Sequence, residues 1–238
     1  GIIKPGSSVV ISKQKKIIQE HIESKLKNKK NQLLIYNKDF KIIKKNKNFF
    51  SIKYKNKTIN FNKPSLRGDH QVINASNAIC AILRLNELGY SFSKKIINIG
   101  IKKTVWPGRL ELKKMNNHNV YLDGAHNIDG ALQIKKYFND KNIKIWVVLG
   151  MLKNKDIRAF LKILKPITLG VIALPIPGEI NCFTSNEIKK VCSLLNINSI
   201  EASSIKEVNK KIKDNLKSKT ILITGSLYLV GRVRKNYL

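Results

Sequence analysis

The chain is poor in cysteine, in long apolar runs and in arginine, and each shortage excludes a class of protein. Its three cysteines, Cys80, Cys182 and Cys192, have no CxxC spacing and lie in apolar stretches. We therefore predict reduced, buried thiols rather than a disulfide scaffold or a zinc site. No apolar run reaches about eighteen residues, and the N-terminal GIIKPGSSVV lacks the features of a signal peptide. We expect no membrane span and a cytoplasmic location.

Acidic residues are also scarce, and the formal net charge of +31 suggests an anionic partner. Only six of the 46 basic residues are arginine, which leaves 40 lysines spread through the chain with much Asn and Ile. Surfaces that recognise bases use Arg forks and stacked rings, and aromatic residues make up only 7% of this chain. We therefore favour solvated lysine faces and expect no specific nucleic-acid partner. A basic nucleic-acid-binding module is the alternative function.

The first part of the chain mixes helix and strand patterns. A helical pattern covers residues 13–30, and short alternating strands follow within residues 32–62. A close-packed helix follows and ends near Gly89, and a shorter helix has Ser93 as its predicted N-cap. Pro107 and Gly108 then break the helical pattern. We predict a domain boundary there, between residues 1–108 and 109–238.

After this boundary, apolar strands and amphipathic helices alternate regularly. The predicted strands are NVYLD, KIWVVLG, LGVIALPI, SIEA and TILITGS. Most of them are unbroken apolar runs, which indicates a parallel sheet covered by helices on both faces. Residues 109–238 are therefore predicted to form a Rossmann-like, doubly wound α/β domain.

Ligands of an open parallel sheet bind beyond the carboxyl ends of its strands. This rule selects the segments DGAHN, GMLKNKD and TGSLYLVGR, which follow three of the predicted strands. Asp123 ends an apolar strand, where burial penalises its charge unless a cation or N–H groups meet it. His126 and Asn127 lie at the predicted start of a helix, a position that favours anions. A purely structural alternative is that Asp123 or Asn127 caps this helix.

Three further side chains are candidates. Arg109 follows the rigid Pro-Gly pair, which suits a fixed guanidinium at a domain junction, although a plain surface arginine fits as well. Ser226 can donate its hydroxyl to a carboxylate or phosphate, or can be an ordinary turn serine. Asn74 has three-residue spacing from both Gln71 and Asn77, so the amides share one helix face. The phosphate-binding motif GxxxxGK[ST] is absent from these residues.

Five segments, taken in their order along the chain, carry a family resemblance. They are GIIKPG, GDHQVINASNAICAIL, WPGRLEL, LDGAHNIDGA and TGSLYLVG. Together they resemble the successive motifs of the folylpolyglutamate synthase and dihydrofolate synthase family, a branch of the Mur ligase superfamily. A Mur-type ligase for a different amino acid is the second alternative, and the WPGR and GSLY motifs argue against it.

The resemblance implies an ATP-dependent amide ligase. Such an enzyme phosphorylates a carboxylate of folate or dihydropteroate, and L-glutamate then attacks the acyl phosphate. By motif position, the resemblance implies that Asn74, Arg109 and Asp123 contact ATP. It assigns His126 and Ser226 to the glutamate side, and His126 and Asp123 to catalysis. It also implies small-molecule substrates and a monomer.

The family's P-loop and magnesium ligands would lie before GIIKPG. ATP and Mg²⁺ are therefore expected, while no metal ligand is predicted within this chain. We expect residues 1–108 to be the rear portion of the ATPase domain, and the chain to be a fragment that is inactive alone. Ile128 stands where the family often has proline, and we expect the helix start to survive this change.

Overall fold

A computed structural model describes residues 2–27, 29–115, 117–215 and 220–237. The chain divides into two units, Gly1–Val105 and Trp106–Leu238. Each unit has its own core, and each is described separately below.

The first unit combines a parallel strand pair, an antiparallel sheet and three helices. Its elements in chain order are β1 (Ser8–Ile11), α1 (Lys16–Leu26), β2 (Gln32–Ile35), β3 (Phe40–Lys45), β4 (Phe49–Tyr54), β5 (Lys57–Asn62), α2 (His70–Glu87) and α3 (Lys94–Lys103). The side chain of Ser93 accepts a hydrogen bond from the Ile96 N–H, so the predicted cap of α3 is confirmed.

Strand β1 has a partner that the sequence did not reveal. It pairs in parallel with β2, in register from Ser8 opposite Gln32 to Ile11 opposite Ile35, and α1 connects the two strands. Strands β3, β4 and β5 form a separate antiparallel sheet. Phe50 and Phe61 of this sheet pack with Ile79 of α2 in one buried cluster. This apolar burial joins the sheet to the long helix.

The second unit contains a six-stranded sheet flanked by helices. Its elements are β6 (Glu111–Met115), β7 (His118–Leu122), α4 (Ile128–Asn139), β8 (Ile145–Leu149), α5 (Ile157–Leu164), β9 (Thr168–Ala173), α6 (Ser185–Leu194), β10 (Ser199–Glu201), α7 (Ile205–Asn215), β11 (Thr220–Thr224) and α8 (Leu227–Tyr237). The predicted strands and intervening helices are all present. The edge strand β6 and the last helix α8 were not predicted.

The strand order is β10-β9-β8-β11-β7-β6. All neighbours are parallel except β6, which pairs antiparallel with β7. The last strand of the chain therefore lies inside the sheet, between β7 and β8. This mixed arrangement, with one antiparallel edge strand, is common in doubly wound folds.

Both faces of this sheet are covered, as the unbroken apolar runs predicted. Val147 and Leu149 of β8 point to one face, where they join the buried side chains of α4, α5 and α6. Val148 points to the other face and packs in a cluster with residues of α7 and α8. Alternate side chains of a strand point to opposite faces, so one apolar run supplies two cores.

The three cysteines are buried free thiols, as predicted. Burial raises the pKa of Cys80 to about 12 and that of Cys192 to about 11. These two thiols are therefore protonated and unreactive near neutral pH. No helix in the described part of the chain has the length and apolar character needed to cross a bilayer.

Candidate active site at the carboxyl edge of the sheet

Three loops selected from the sequence lie side by side at one edge of the second unit. They follow β7, β11 and β8, which are consecutive neighbours in the sheet. All three strands are parallel, so their carboxyl ends meet at the same edge. The three segments selected from the sequence are therefore neighbours at this edge.

Backbone hydrogen bonds join the loop after β7 to the loop after β11. The Gly225 N–H donates to the Ala125 carbonyl at 3.0 Å, and the Thr224 hydroxyl donates to the same oxygen at 3.3 Å. His126 and Ser226 each follow directly after these bonded residues. Two polar side chains that are far apart in sequence are thus carried on neighbouring backbone segments.

Close backbone packing at this edge requires glycine. Gly225 has a φ of +101°, and a Cβ placed on it would lie 2.4 Å from the Gly150 carbonyl oxygen. A Cβ on Gly124 would lie 2.2 Å from a methyl group of Leu227. Any larger residue at 225 would therefore separate the ends of β8 and β11.

Asp123 is buried, with 7% of its surface exposed, and its carboxylate fastens two loops together. One oxygen accepts from the Ala125 N–H at 2.8 Å, and the other accepts from the Leu110 N–H at 2.8 Å. The first bond shapes its own loop, while the second holds the segment that contains Arg109. Neither bond caps helix α4, so the helix-cap alternative is wrong for Asp123.

The ionisation of Asp123 reflects competing effects. Burial raises the pKa of this carboxyl, while the N–H groups of Ala125 and Leu110 and the charge of Arg109 lower it. The net direction is upward, so burial outweighs the three favourable interactions.

Arg109 is exposed and lies at the centre of a strained turn. Its neighbours Gly108 and Leu110 have φ values of +70° and +45°. The left-handed region is costly for a branched residue such as Leu, so the turn needs outside support. Part of that support is the Gly124 N–H, which donates to the Gly108 carbonyl at 2.9 Å.

Glu111 supplies further support and was not predicted as a site residue. One carboxylate oxygen accepts from the Gly108 N–H at 3.0 Å, and the other lies 3.1 Å from Nε of Arg234 on α8. Burial raises the pKa of Glu111, but these two partners together with Lys113 outweigh it and leave the pKa below its usual value. The carboxylate is therefore ionised at neutral pH.

His126 is half-buried, and its Nδ1 atom lies 2.9 Å from the Gly124 carbonyl oxygen. A carbonyl oxygen only accepts hydrogen bonds, so Nδ1 carries the proton in this contact. In the neutral ring, Nε2 is then left as an acceptor. The backbone thus selects the tautomer in which His126 is able to take a proton.

The next residue, Asn127, is the N-cap of α4. Its side-chain oxygen accepts from the Gly130 N–H at 2.9 Å, and the helix begins at Ile128. The capping alternative is therefore correct for Asn127. The helix start is also intact with Ile128, as expected.

Ser226 is buried, with 4% of its surface exposed, and directly precedes α8. Its Oγ atom accepts a hydrogen bond from the Tyr228 N–H at 3.1 Å, which is the geometry of a helix cap. The hydroxyl proton is not used in this bond and is available to an acceptor. The turn role and the ligand role predicted for Ser226 are therefore compatible.

Asn74 lies on helix α2 of the first unit and is exposed. Its amide nitrogen donates to the Oε1 atom of Gln71 at 3.1 Å, so the shared helix face predicted for these two residues is confirmed. Asn77 instead donates to the hydroxyl of Ser12 at 2.6 Å. Contact of Asn74 with ATP stays a prediction.

The described residues contain no preformed cluster of protein ligands for Mg²⁺. No cluster of three or more His, Cys, Asp or Glu side chains occurs in residues 2–27, 29–115, 117–215 and 220–237. Both oxygens of Asp123 already accept backbone N–H groups. These residues do not fit a magnesium ion, and no chemical step below depends on one.

A family model described as dihydrofolate synthetase, C-terminal domain, matches residues 108–236, which are more than half of the chain. The chain belongs to the folylpolyglutamate synthase and dihydrofolate synthase family. The matched range contains Arg109, Asp123, His126 and Ser226. The resemblance inferred from the sequence motifs is confirmed.

Two curated relatives and one solved structure illustrate the similarity. The dihydrofolate synthase/folylpolyglutamate synthase of Bacillus subtilis is 31% identical over 194 residues, covering 78% of this chain and 43% of the relative. The probable dihydrofolate synthetase of Schizosaccharomyces pombe is 30% identical over 203 residues, covering 78% of this chain and 47% of the relative. Escherichia coli FolC, solved in complex with DHPP and ADP, has a TM-score of 0.82 at 21% identity, covering 96% of this chain and 52% of FolC.

The structural match confirms the predicted α/β fold, which this chain shares with FolC. The chain spans about half the length of the curated relatives it matches.

Proposed function

We propose that the chain is part of an ATP-dependent amide ligase that adds L-glutamate to folate, to dihydropteroate, or to both. The observation that carries this proposal is the link between two loops at the carboxyl edge of the sheet. Asp123 holds the turn of Arg109 through the Leu110 N–H, next to the segments that carry His126 and Ser226. A cation, a proton acceptor and a hydroxyl donor are thus gathered where such sheets bind ligands.

The proposed reaction has two steps. The γ-phosphoryl group of ATP is transferred to a substrate carboxylate, which gives an acyl phosphate and ADP. The amine nitrogen of glutamate then attacks the acyl carbon, so that a C–N bond forms, the C–O bond to phosphate breaks, and phosphate leaves. The amine loses its proton during this attack, and it needs an acceptor within reach.

Each residue has a proposed task in these steps. Arg109 is exposed and supplies positive charge to the phosphoryl oxygens, which become more negative during transfer. The free Nε2 atom of His126 accepts the amine proton, because Nδ1 is held by the Gly124 carbonyl. Ser226 donates its hydroxyl proton to a carboxylate of glutamate. Asp123 contributes by holding the Arg109 turn, and direct contact with ATP remains part of the proposal.

We further propose that residues 1–108 are the rear portion of the ATPase domain, that Asn74 contacts ATP there, and that the protein is a monomer. E. coli FolC, whose fold this chain shares, was solved with both DHPP and ADP bound, which supports a nucleotide and a folate precursor as ligands here. Magnesium would accompany ATP and be held by groups outside the described residues.

An assay of phosphate release tests the proposal. The complete gene product is supplied with ATP, L-glutamate and either dihydropteroate or tetrahydrofolate, and phosphate is measured with and without each substrate. We expect release that depends on glutamate and on at least one of the two acceptors. Absence of substrate-dependent release with both acceptors would refute the ligase function. A filter-binding titration with DNA and RNA at two salt concentrations tests the alternative of nucleic-acid binding.

A further inference from the structure

Two carboxylates hold the backbone on either side of Arg109. Glu111 accepts the N–H of Gly108 at 3.0 Å, and Asp123 accepts the N–H of Leu110 at 2.8 Å. Both bonded residues have positive φ values, +70° and +45°. Because this backbone conformation is unfavourable for Leu110, the two hydrogen bonds select a turn that the local sequence alone does not favour.

Glu111 is itself held from outside the turn. Its side chain is 14% exposed, and its second oxygen lies 3.1 Å from Nε of Arg234. Arg234 belongs to α8, the helix that starts directly after Ser226. Lys113, on the same strand as Glu111, lies 3.5 Å away and adds a second positive charge. The carboxylate therefore connects the turn, the edge strand β6 and the last helix.

We propose that Glu111, held by Arg234, is a positioning residue for Arg109. By fixing the Gly108 N–H, it directs the exposed Arg109 side chain toward the carboxyl edge of the sheet. Part of the ordering of Arg109 is then complete before a ligand arrives, which reduces the entropy lost on binding. The functional consequence rests on the proposed function, in which Arg109 meets the phosphoryl groups of ATP.

The chemistry of this contact explains why glutamate is suited to the position. A carboxylate offers an acceptor oxygen to the Gly108 N–H and another to Arg234 at the same time. Glutamine offers one acceptor oxygen, and its NH₂ group would face a donor. The substitution Glu111→Gln therefore removes one of the two contacts while it preserves the size of the side chain.

Amide hydrogen exchange, measured on this chain, reports directly how firmly Glu111 holds the Gly108 N–H. In Glu111→Gln, we expect exchange at the Gly108 amide to accelerate on the order of tenfold. Glu207→Gln is the matched control, because Glu207 accepts the Ser203 N–H at 2.7 Å and pairs with Lys211 at 3.0 Å. The control should accelerate Ser203 and leave Gly108 unchanged. Arg234→Ala, which leaves Glu111 in place, should accelerate Gly108 to a smaller extent.

A double-mutant cycle then separates positioning from a general structural effect. The Kd for AMPPNP is measured in the complete gene product and in its Glu111→Gln, Arg109→Ala and double variants. If Glu111 acts through Arg109, Glu111→Gln should weaken binding several-fold in the parent and have no further effect in the Arg109→Ala background. Additive effects of the two substitutions would overturn the proposal.

Unchanged exchange at Gly108 in Glu111→Gln would also overturn it. If the complete gene product itself does not bind AMPPNP, the nucleotide-binding part of the proposed function fails. The exchange measurement does not involve nucleotide, so it then decides alone whether Glu111 holds the turn.

Discussion

The backbone N–H of Leu110 donates to the buried carboxylate of Asp123 at 2.8 Å, although thirteen positions separate the two residues. This bond brings the WPGR turn to the end of the neighbouring strand, β7. The WPGR and DGAHN segments are thus physically connected, and several of the predictions below follow from that connection.

Replacement of Asp123 by Asn should loosen both loops. The amide has one acceptor oxygen for two backbone N–H groups, so the buried hydrogen bond from either the Leu110 or the Ala125 N–H is lost. The free energy of unfolding should fall by roughly 1–3 kcal/mol, the usual penalty for an unsatisfied buried group. Urea unfolding measures the change. Asp140→Asn, at an exposed carboxylate paired with Lys136, should cost less than about 0.5 kcal/mol; equal losses in both variants would contradict the role of Asp123.

Replacement of Arg109 by Ala should impair catalysis and spare the fold. The side chain is exposed, so the unfolding midpoint should change little. Phosphate release by the complete gene product should fall on the order of 100-fold, as is typical when a group that stabilises developing charge is lost. Lys162→Ala, which removes an exposed charge near the end of α5, serves as the control. Equal turnover in both variants would remove Arg109 from the site.

Stability at acid pH should depend on two surface carboxylates. Backbone N–H bonds from Thr184 and Ser203 are the largest of the causes that lower the pKa of Glu187 and Glu207 to about 2 from a usual 4.5. Because the folded-state pKa is lowered, each group stabilises the fold above pH 4.5, and this contribution is lost as the pH falls toward 2. Glu187→Gln should therefore flatten the decline of Tm between these values. Thermal unfolding measured across this pH range tests the prediction. An unchanged slope of Tm against pH in Glu187→Gln would contradict it.

The pKa of Asp123 is shifted in the opposite direction, so its contribution has the opposite sign. Burial raises this pKa, which means that the folded state binds the proton more tightly than the unfolded state. Its contribution is present at low pH and is lost as the pH rises through the folded-state pKa. The acid limb of the Tm profile should therefore be set by carboxyls whose pKa is lowered, among them Glu187, Glu207 and Glu111, rather than by Asp123.

Alanine at Gly225 should destabilise the second unit strongly. The residue has a φ of +101°, and its new Cβ would lie 2.4 Å from the Gly150 carbonyl oxygen. We expect a loss of more than about 2 kcal/mol, because backbone atoms must move and an L-residue is strained there. Gly231→Ala is the matched control, since no atom lies within 4 Å of its Cβ position in helix α8. The control should be neutral or slightly stabilising, and a Gly225→Ala variant as stable as the parent would contradict the expected clash.

Much of the second unit could be predicted because its strands are unbroken apolar runs. Strand β6 was missed because ELKKM is short and mostly polar, so its strand conformation depends on pairing with β7. Helix α8 was missed although Leu229, Val230 and Val233 have helical spacing and are buried. That spacing is the signal that could have located it.

The site could be predicted only in part, for a related reason. Loops at strand ends follow from the parallel sheet, so the neighbourhood of Asp123 and Ser226 was accessible from sequence. The support that Glu111 gives to the Arg109 turn could not be predicted from sequence. It depends on a turn with positive φ values and on Arg234, which is distant in sequence. Contacts of this kind are made by tertiary structure and leave no local pattern.

The position of β11 has a consequence for how the protein is made. This strand follows the other five strands of its sheet in chain order, yet it lies between β7 and β8. Strands β7 to β10 and the helices between them have to be synthesised before β11 can close the middle of the sheet, and until then β7 and β8 each expose a strand edge that other chains could join. The step that removes those edges also joins Gly225 to Ala125, so protection from aggregation and assembly of the candidate site are one event in folding.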